Sequence, residues 1–427
     1  METKITPPAG PLDAEVEAPP SKAVTQRALF IAALAEGDSV ISNPLLASDQ
    51  EYAMDALECL GADFQRQGDD LLVSGFGGRP RPSCNSLFAG RSGLNARMLT
   101  SVLTLCPKGE AVMVDGPPRL RQRPFGPLLA AIKGLGGRAR STGERGLLPI
   151  EVKGGGLKGG RVMVEAEIHT EFLSSMLIVA PYASNDVSIA SHHGLRGAPY
   201  LDVTLEVMRA FGVEVERNGY SEFRVRSGQR YMPGHFRVEG DHGIAAYFYA
   251  AAAITEGRVR VRGLSPDSRQ GEKLFPAFLS RMGCAVWPQD DGAIVEGGEL
   301  KAIEVDVRDA GELALPLAVV ASFAKGKSRF LSVGHLAHRE WERLASVVEG
   351  LRSMGIRAER EGDVLVVQGG IPHGGSVDPR GDFRVAMAFA LAGLGARGIK
   401  IHEPECVSRV FPGFLESLKK LGRGQEG

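Results

Sequence analysis

The sequence predicts an α/β protein of two domains, each built from three β-α-β-α-β-β units, and three recurring features predict it. They are an amphipathic helix that ends on glycine, a hairpin pattern after it, and a second helix that is apolar almost all round. Six times a helix ends on an apolar residue plus glycine, at Leu60-Gly61, Leu135-Gly136, Phe211-Gly212, Met282-Gly283, Met354-Gly355 and Leu421-Gly422. Successive glycines stand 67 to 76 residues apart, and self-similarity at a fixed period is the signature of a repeat architecture.

Each of the first five glycines opens a β-hairpin pattern, as in ADFQRQGDDLLVSG and CAVWPQDDGAIVEGG: alternating residues, a polar turn, then a second strand-like run. The second helix appears in TQRALFIAALAEG, LNARMLTSVLTLC, TEFLSSMLIVAPY, GIAAYFYAAAAIT, ELALPLAVVASFAKG and FRVAMAFALAGLG. A helix apolar all round must be buried. The first helix is one-sided, for example YLDVTLEVMRAFG with Leu201, Leu205 and Met208 on one face, and covers the outside. Six such units exceed what one hydrophobic core supports. Two domains of three units follow, divided near residue 235, and the segment before Lys22 can join either half.

With 50 Lys+Arg against 51 Asp+Glu in 427 residues, the net charge is -1, so no global field attracts nucleic acid or an anionic membrane. No apolar run reaches the length of a membrane span, and the first residues lack the basic and apolar regions of a secretory signal. A cytoplasmic protein acting as a monomer is the expectation. Cys59, Cys84, Cys106, Cys284 and Cys406 are odd in number, with no CxxC spacing, and read as reduced thiols rather than a disulfide framework or a zinc site.

Any anion site must therefore be local, and the starts of the buried helices supply one. A helix N-terminus carries roughly half a positive charge and unsatisfied N–H groups. At these starts stand Lys22 and Arg27, Gly93 and Arg97, Glu171, Asp241, Asp309 and Glu312, and Asp382 with Arg384. Arg123, Arg339 with Glu340 and Arg343, and Arg409 precede the one-sided helices. Arginine forks bind phosphate and carboxylate bidentately, so Lys22, Arg123, Arg343, Arg384 and Arg409 suit a small polyanion.

PPSKAVTQRALFIAALAEG, LFAGRSGLNAR, RLRQRPFGPLLAAIKGLG, GAPYLDVTLEVMRAFGVEV, VEGDHGIAAYFYAAAAIT, HREWERL, GDFRVAMAFALAGL and SRVFPGF resemble, over essentially the whole chain, the enolpyruvyl transferases, and among them the 5-enolpyruvylshikimate-3-phosphate synthases. The resemblance implies the two-domain enolpyruvyl transferase fold, an inside-out α/β barrel of six repeats. Its domains are 21–235 and 1–20 plus 236–427, closing on substrate. It implies transfer of the enolpyruvyl group of phosphoenolpyruvate to a ring hydroxyl through a tetrahedral intermediate. Lys22, Gly93, Arg123, Arg343, Arg384 and Arg409 fall at donor-binding positions, the donor's phosphate toward one domain and its carboxylate toward the other. Glu340 falls at one acid/base position. Counting back from Gly326 puts Glu312 at the other, where the family has Asp, with Asp309 as the runner-up. Glu312 would take the hydroxyl proton, and Lys22 and Glu340 would serve C3 and the leaving phosphate. No metal or cofactor is implied, because the cations neutralise the phosphate.

The departures lie on the acceptor side. Arg27 and Tyr200 are retained, but Ala23 stands for the family's Ser, and the Ser-Ser-Gln triplet that grips the acceptor reads His169, Thr170, Glu171. Gly197, His335 and Arg339 replace a Ser, an Asn and a Lys, while Arg91 and Leu94 replace the Asn and Thr of NAGT. A carboxylate at Glu171 would repel a substrate phosphate unless Arg91, Arg339 or a protonated His169 offsets it. Three readings follow: 3-phosphoshikimate as acceptor; another hydroxylated ring acid, such as shikimate or a hydroxybenzoate; or a non-catalytic binding protein with this fold. The related UDP-N-acetylglucosamine enolpyruvyl transferases carry a Cys in the loop that here reads DGPPRLRQRP, without one.

Overall fold

The computed structural model describes residues 2–165, 170–191, 195–334, 336 and 343–421. The chain divides into two compact units, Pro20–Val238, and Met1–Pro19 with Glu239–Gly427. Five four-stranded sheets and one three-stranded sheet carry the strands of the described residues.

The four-stranded sheets share one topology. In the first unit Ser86–Phe88 runs parallel to Ala111–Asp115, which pairs antiparallel with Ile150–Lys153, itself antiparallel to Arg138–Ser141. Gly160–Val164, Val187–Ser191, Glu222–Val225 and Val215–Asn218 repeat that order. The first repeat draws its parallel strand from far along the chain: His235–Arg237 lies beside Glu36–Ser42, with His235 opposite Val40. A cut at residue 235 would divide this strand, which is why the first unit runs on to Val238.

The second unit repeats the arrangement. Asp13–Glu17 supplies the parallel strand to Arg258–Arg262, with Val259 opposite Ala14, so the opening segment belongs to this unit. Glu304–Asp306 does the same for Lys327–Leu331. In the sixth repeat the described residues form no hairpin after the last helix. Glu2–Lys4 pairs antiparallel with Lys400–His402 in its place, leaving three strands.

The apolar helices are the cores. Every residue of the helix Gly93–Val102 is buried, as are Phe172–Val179 of the helix Glu171–Val179 and all of Ala314–Ser322. In the second unit the helices His242–Thr255, Ala314–Ser322 and Phe383–Gly395 pack against one another. Each fully buried Leu or Phe contributes about 1.5–3 kcal/mol. The one-sided helices bury a single stripe: in Pro199–Ala210 it runs through Leu201, Val203, Thr204, Val207 and Met208, with Leu205 at its half-buried edge.

Glycine has two repeated duties here. Gly61, Gly136, Gly212, Gly283 and Gly355 all have positive φ at the ends of the one-sided helices, the left-handed stop the sequence predicts. A second set lets the last hairpin strand cross the carbonyl end of the buried helix. A Cβ at Gly75 would lie 2.2 Å from the Ala35 oxygen, one at Gly297 2.4 Å from that of Ala252, and one at Gly369 1.8 Å from that of Ala324.

Candidate active site

In the first unit the start of the helix Lys22–Leu34 is tied to two neighbouring helices. Lys22 Nζ donates to the carboxylate of Asp49, which is 2% exposed. The Asp49 carbonyl accepts from Asn95 Nδ2 at 2.7 Å, and Gln26 Nε2 donates to Asn95 Oδ1 at 2.8 Å and to Ser92 Oγ at 3.0 Å. Ser92 caps the helix Gly93–Val102, accepting from the Asn95 amide. This buried network fixes Lys22 relative to Gly93.

Arg123 is half-buried and lies directly on Gly93: a Cβ there would sit 2.0 Å from Arg123 Nη1 and 2.6 Å from Arg97 Nη1. Only glycine admits both guanidiniums to this helix start. Arg97 is fully buried, with its Cζ 5.0 Å from the Phe125 ring centroid and 4.8 Å from that of Phe172. It donates to the Glu171 carboxylate and, at 3.2 Å, to the Pro124 carbonyl. A desolvated cation between two π faces gains about 2 kcal/mol or more. The cation that offsets Glu171 is thus Arg97, which the sequence marks only as a charge at a helix start; Arg91 is exposed.

Arg27 is 1% exposed and its fork is engaged by the protein. Nε donates to Thr204 Oγ1 at 2.7 Å, Nη1 to the Ala23 carbonyl at 2.9 Å, and Nη2 to the Tyr200 carbonyl at 3.2 Å and Ser174 Oγ at 3.5 Å. Burial pulls its pKa down to about 10, opposed by Glu171 and Tyr200, so it is charged at neutral pH. Tyr200 is half-buried beneath this guanidinium, and Thr170 is buried just before the helix Glu171–Val179.

The second unit builds a different cluster. Glu312, on the single turn Gly311–Leu313 before Ala314–Ser322, is 7% exposed. Its Oε2 accepts from Arg343 Nη1 at 2.5 Å and lies 3.2 Å from Arg384 Nε. Arg343 Nε donates to Asp382 Oδ2 at 2.6 Å. The other oxygen of Asp382 caps the helix Phe383–Gly395, accepting from the Arg384 amide at 2.9 Å and the Val385 amide at 3.4 Å. Asp241 caps His242–Thr255 in the same way through the Ile244 amide. Tyr247 donates to the Arg384 carbonyl at 3.3 Å, and burial pushes its hydroxyl pKa well up, so it stays neutral. Arg409 ends the turn Pro404–Arg409, which packs on the helix Phe383–Gly395.

Of the residues singled out from sequence, the structure joins Gly93, Arg97, Arg123 and Glu171 in one unit, and Glu312, Arg343, Asp382 and Arg384 in the other. Asp309 is exposed, whereas Glu312 holds the arginines. His169, His335, Arg339 and Glu340 lie outside the described residues. Asp49 is the functional neighbour that sequence reasoning missed; its only mark is an acidic residue in the first turn of the helix Ser48–Glu58. A thiol nucleophile finds no support at Cys106, whose pKa burial, then Glu110, drives up to about 12.

Two units of such repeats, with cations gathered at helix starts, define an α/β protein whose sites suit a small anionic substrate. The particular family follows from comparison with known proteins. The model of EPSP synthase (3-phosphoshikimate 1-carboxyvinyltransferase) matches residues 6–418. The chain is 41% identical over 411 residues to the 3-phosphoshikimate 1-carboxyvinyltransferase of Methanoculleus marisnigri, covering 96% of this chain and 97% of that one. It is 38% identical over 425 residues to that of Syntrophobacter fumaroxidans, covering 99% and 100%. Its fold matches an EPSP synthase of Acinetobacter baumannii with a TM-score of 0.84 at 25% identity, over 99% of this chain and 98% of that one. The chain belongs to the EPSP synthase family. Among the described residues no helix is long and apolar enough to cross a membrane.

Proposed function

We propose that this enzyme transfers the enolpyruvyl group of phosphoenolpyruvate to a ring hydroxyl of 3-phosphoshikimate, releasing phosphate. The observation that carries the reading is the meeting, within each unit, of residues assigned to the donor: Arg123 against Gly93 in one, and Arg343 with Arg384 on a shared carboxylate in the other. The first unit offers the stronger positive field and suits the donor's phosphate, while the arginine fork of the second suits its carboxylate. Arg409 adds a further cation on the donor side.

In the reaction the acceptor oxygen bonds to C2 of the donor as C3 takes a proton. The tetrahedral adduct then breaks its C2–O(phosphate) bond, the phosphate leaves with those electrons, and C3 gives its proton back. Glu312 takes the hydroxyl proton, and Lys22, held by Asp49, serves C3 and the leaving phosphate together with Glu340. Arg27, Tyr200, His169, Thr170, Glu171 and Arg339 form the acceptor side. The pairing of Glu171 with Arg97 removes the main electrostatic objection to a phosphorylated acceptor. We read the protein as a cytoplasmic monomer, in keeping with its five free thiols.

Purified enzyme given phosphoenolpyruvate and 3-phosphoshikimate should release phosphate with formation of an enol ether. Turnover only with shikimate or a hydroxybenzoate would transfer the reading to an unphosphorylated acceptor, and no turnover with any of them would reject it.

A further inference from the structure

The arginine pair assigned to the donor's carboxylate already holds a carboxylate of the protein's own. Glu312 Oε2 sits between Arg343 Nη1 and Arg384 Nε, and Arg343 Nε is committed to Asp382. Among the described residues these two guanidiniums hold two carboxylates, so a third, brought by substrate, would compete with them for the same forks. The two resident carboxylates are not equally fixed. Asp382 is locked by the backbone amides it caps, so leaving would expose the start of a long helix. Glu312 stands on a single turn, and its contact to Arg384, at 3.2 Å, is longer than either ion pair that Arg343 makes, at 2.5 and 2.6 Å. Arg384 is also the most open member, with its side chain 26% exposed against 7% for Arg343 and 8% for Glu312.

We infer that Glu312 is a stand-in for the substrate's carboxylate, and that donor binding is an exchange in which that carboxylate takes over Arg384 and Arg343 and turns Glu312 out. The inference rests on the proposed function and deepens it, because the group released is the one assigned to take the acceptor's proton. Until the donor arrives, Glu312 is bound to two cations and shut from solvent; once displaced, it is a carboxylate in search of a proton donor. Base and donor site are thereby coupled, so an acceptor bound alone meets no competent base. The exchange also gives the length of the side chain a purpose. A glutamate reaches from its turn to both guanidiniums, and on this inference an aspartate falls short.

The test is calorimetric titration of wild type, Glu312→Asp and Glu312→Gln with phosphoenolpyruvate alone, with inorganic phosphate as a probe that has no carboxylate. Exchange predicts that Glu312→Asp, which keeps the charge but loses the reach, binds phosphoenolpyruvate roughly tenfold more tightly than wild type, the effect of one charge-assisted hydrogen bond no longer surrendered. Its affinity for inorganic phosphate should stay within about twofold of wild type. Glu312→Gln should also bind the donor more tightly while losing turnover. Melting curves establish that each variant is folded, and if the glutamine variant is not, the aspartate variant decides alone. Unchanged or weaker donor binding by Glu312→Asp overturns the inference, as does an equal gain for inorganic phosphate. Wild-type turnover assayed in parallel separates the two claims. Product formation combined with unaltered donor affinity in Glu312→Asp sinks the exchange alone; no product sinks the assigned reaction.

Discussion

The two units are copies of one plan that balance charge differently. In the first, Lys22, Arg27, Arg97 and Arg123 face two carboxylates, Asp49 and Glu171. In the second, among the described residues, Arg343 and Arg384 are each tied to a carboxylate, Arg343 to Glu312 and Asp382 and Arg384 to Glu312. The surplus in the first unit provides a standing field for a dianion. The paired arginines of the second provide forks in which, on the inference above, one carboxylate is swapped for another.

The most severe way to break the comparison is to remove Arg343. Its guanidinium joins both carboxylates of the second cluster at 7% exposure, so Arg343→Leu leaves two buried anions with one cation beside them. Removing one partner of a buried pair costs about 3–5 kcal/mol. Denaturant unfolding should show a loss of that size, with donor binding abolished. A variant as stable as wild type would mean that water reaches these carboxylates freely.

A milder perturbation addresses the first unit. Gly93→Ala places a methyl group 2.0 Å from Arg123 Nη1, the far end of a flexible side chain that can swing aside. Arg97, held between Phe125 and Phe172, cannot. The methyl group, 2.6 Å from Arg97 Nη1, must then be accommodated by a shift of the helix start, so the melting temperature should fall. The affinities for phosphoenolpyruvate and inorganic phosphate should fall together, by about tenfold. A fall for phosphoenolpyruvate alone would assign the substrate's carboxylate, rather than its phosphate, to this unit.

How much of this is legible in the sequence depends on the range of the interaction. The glycine stops and the buried helices are local patterns, and they appear where the periodicity predicts them at Gly61, Gly136, Gly212, Gly283 and Gly355, Gly422 lying outside the described residues. The parallel partners of the first strand in each unit are not local: His235–Arg237 joins Glu36–Ser42 and Asp13–Glu17 joins Arg258–Arg262 across some two hundred residues, and short exposed edge strands carry little pattern of their own. The same holds at the site. Glu312, Arg343 and Arg384 are marked by charge at the mouths of apolar helices. The pairing of Arg97 with Glu171 depends on two aromatic rings from different elements, and the grip of Asp49 on Lys22 on how one helix leans on another. Nothing in the spacing of those residues announces either contact.

The smallest effect concerns a pair of equivalent positions. Lys22 opens the first buried helix of one unit, and His242, after the cap Asp241, opens the first buried helix of the other. Lys22 donates to the Asp49 carboxylate. His242 is buried, its Nε2 lies 3.1 Å from the Ser265 carbonyl, and its pKa is lowered, chiefly by desolvation and further by Lys273, with the Ser265 bond and Asp241 opposing. The positive end of the helix it opens disfavours imidazolium as well. A histidine with a folded pKa below its unfolded value near 6.5 stabilises the fold above that pH. As pH falls below it, the unfolded chain takes up a proton that the folded chain refuses, so stability declines until the folded pKa is passed. His242→Gln, which can still donate to Ser265, should flatten this segment of the pH–stability curve and leave donor binding untouched, as measured by denaturant unfolding from pH 7.5 to 5. A curve that keeps its slope in the variant would show that the acid sensitivity arises elsewhere, and that the two helix starts differ in charge without differing in their response to pH.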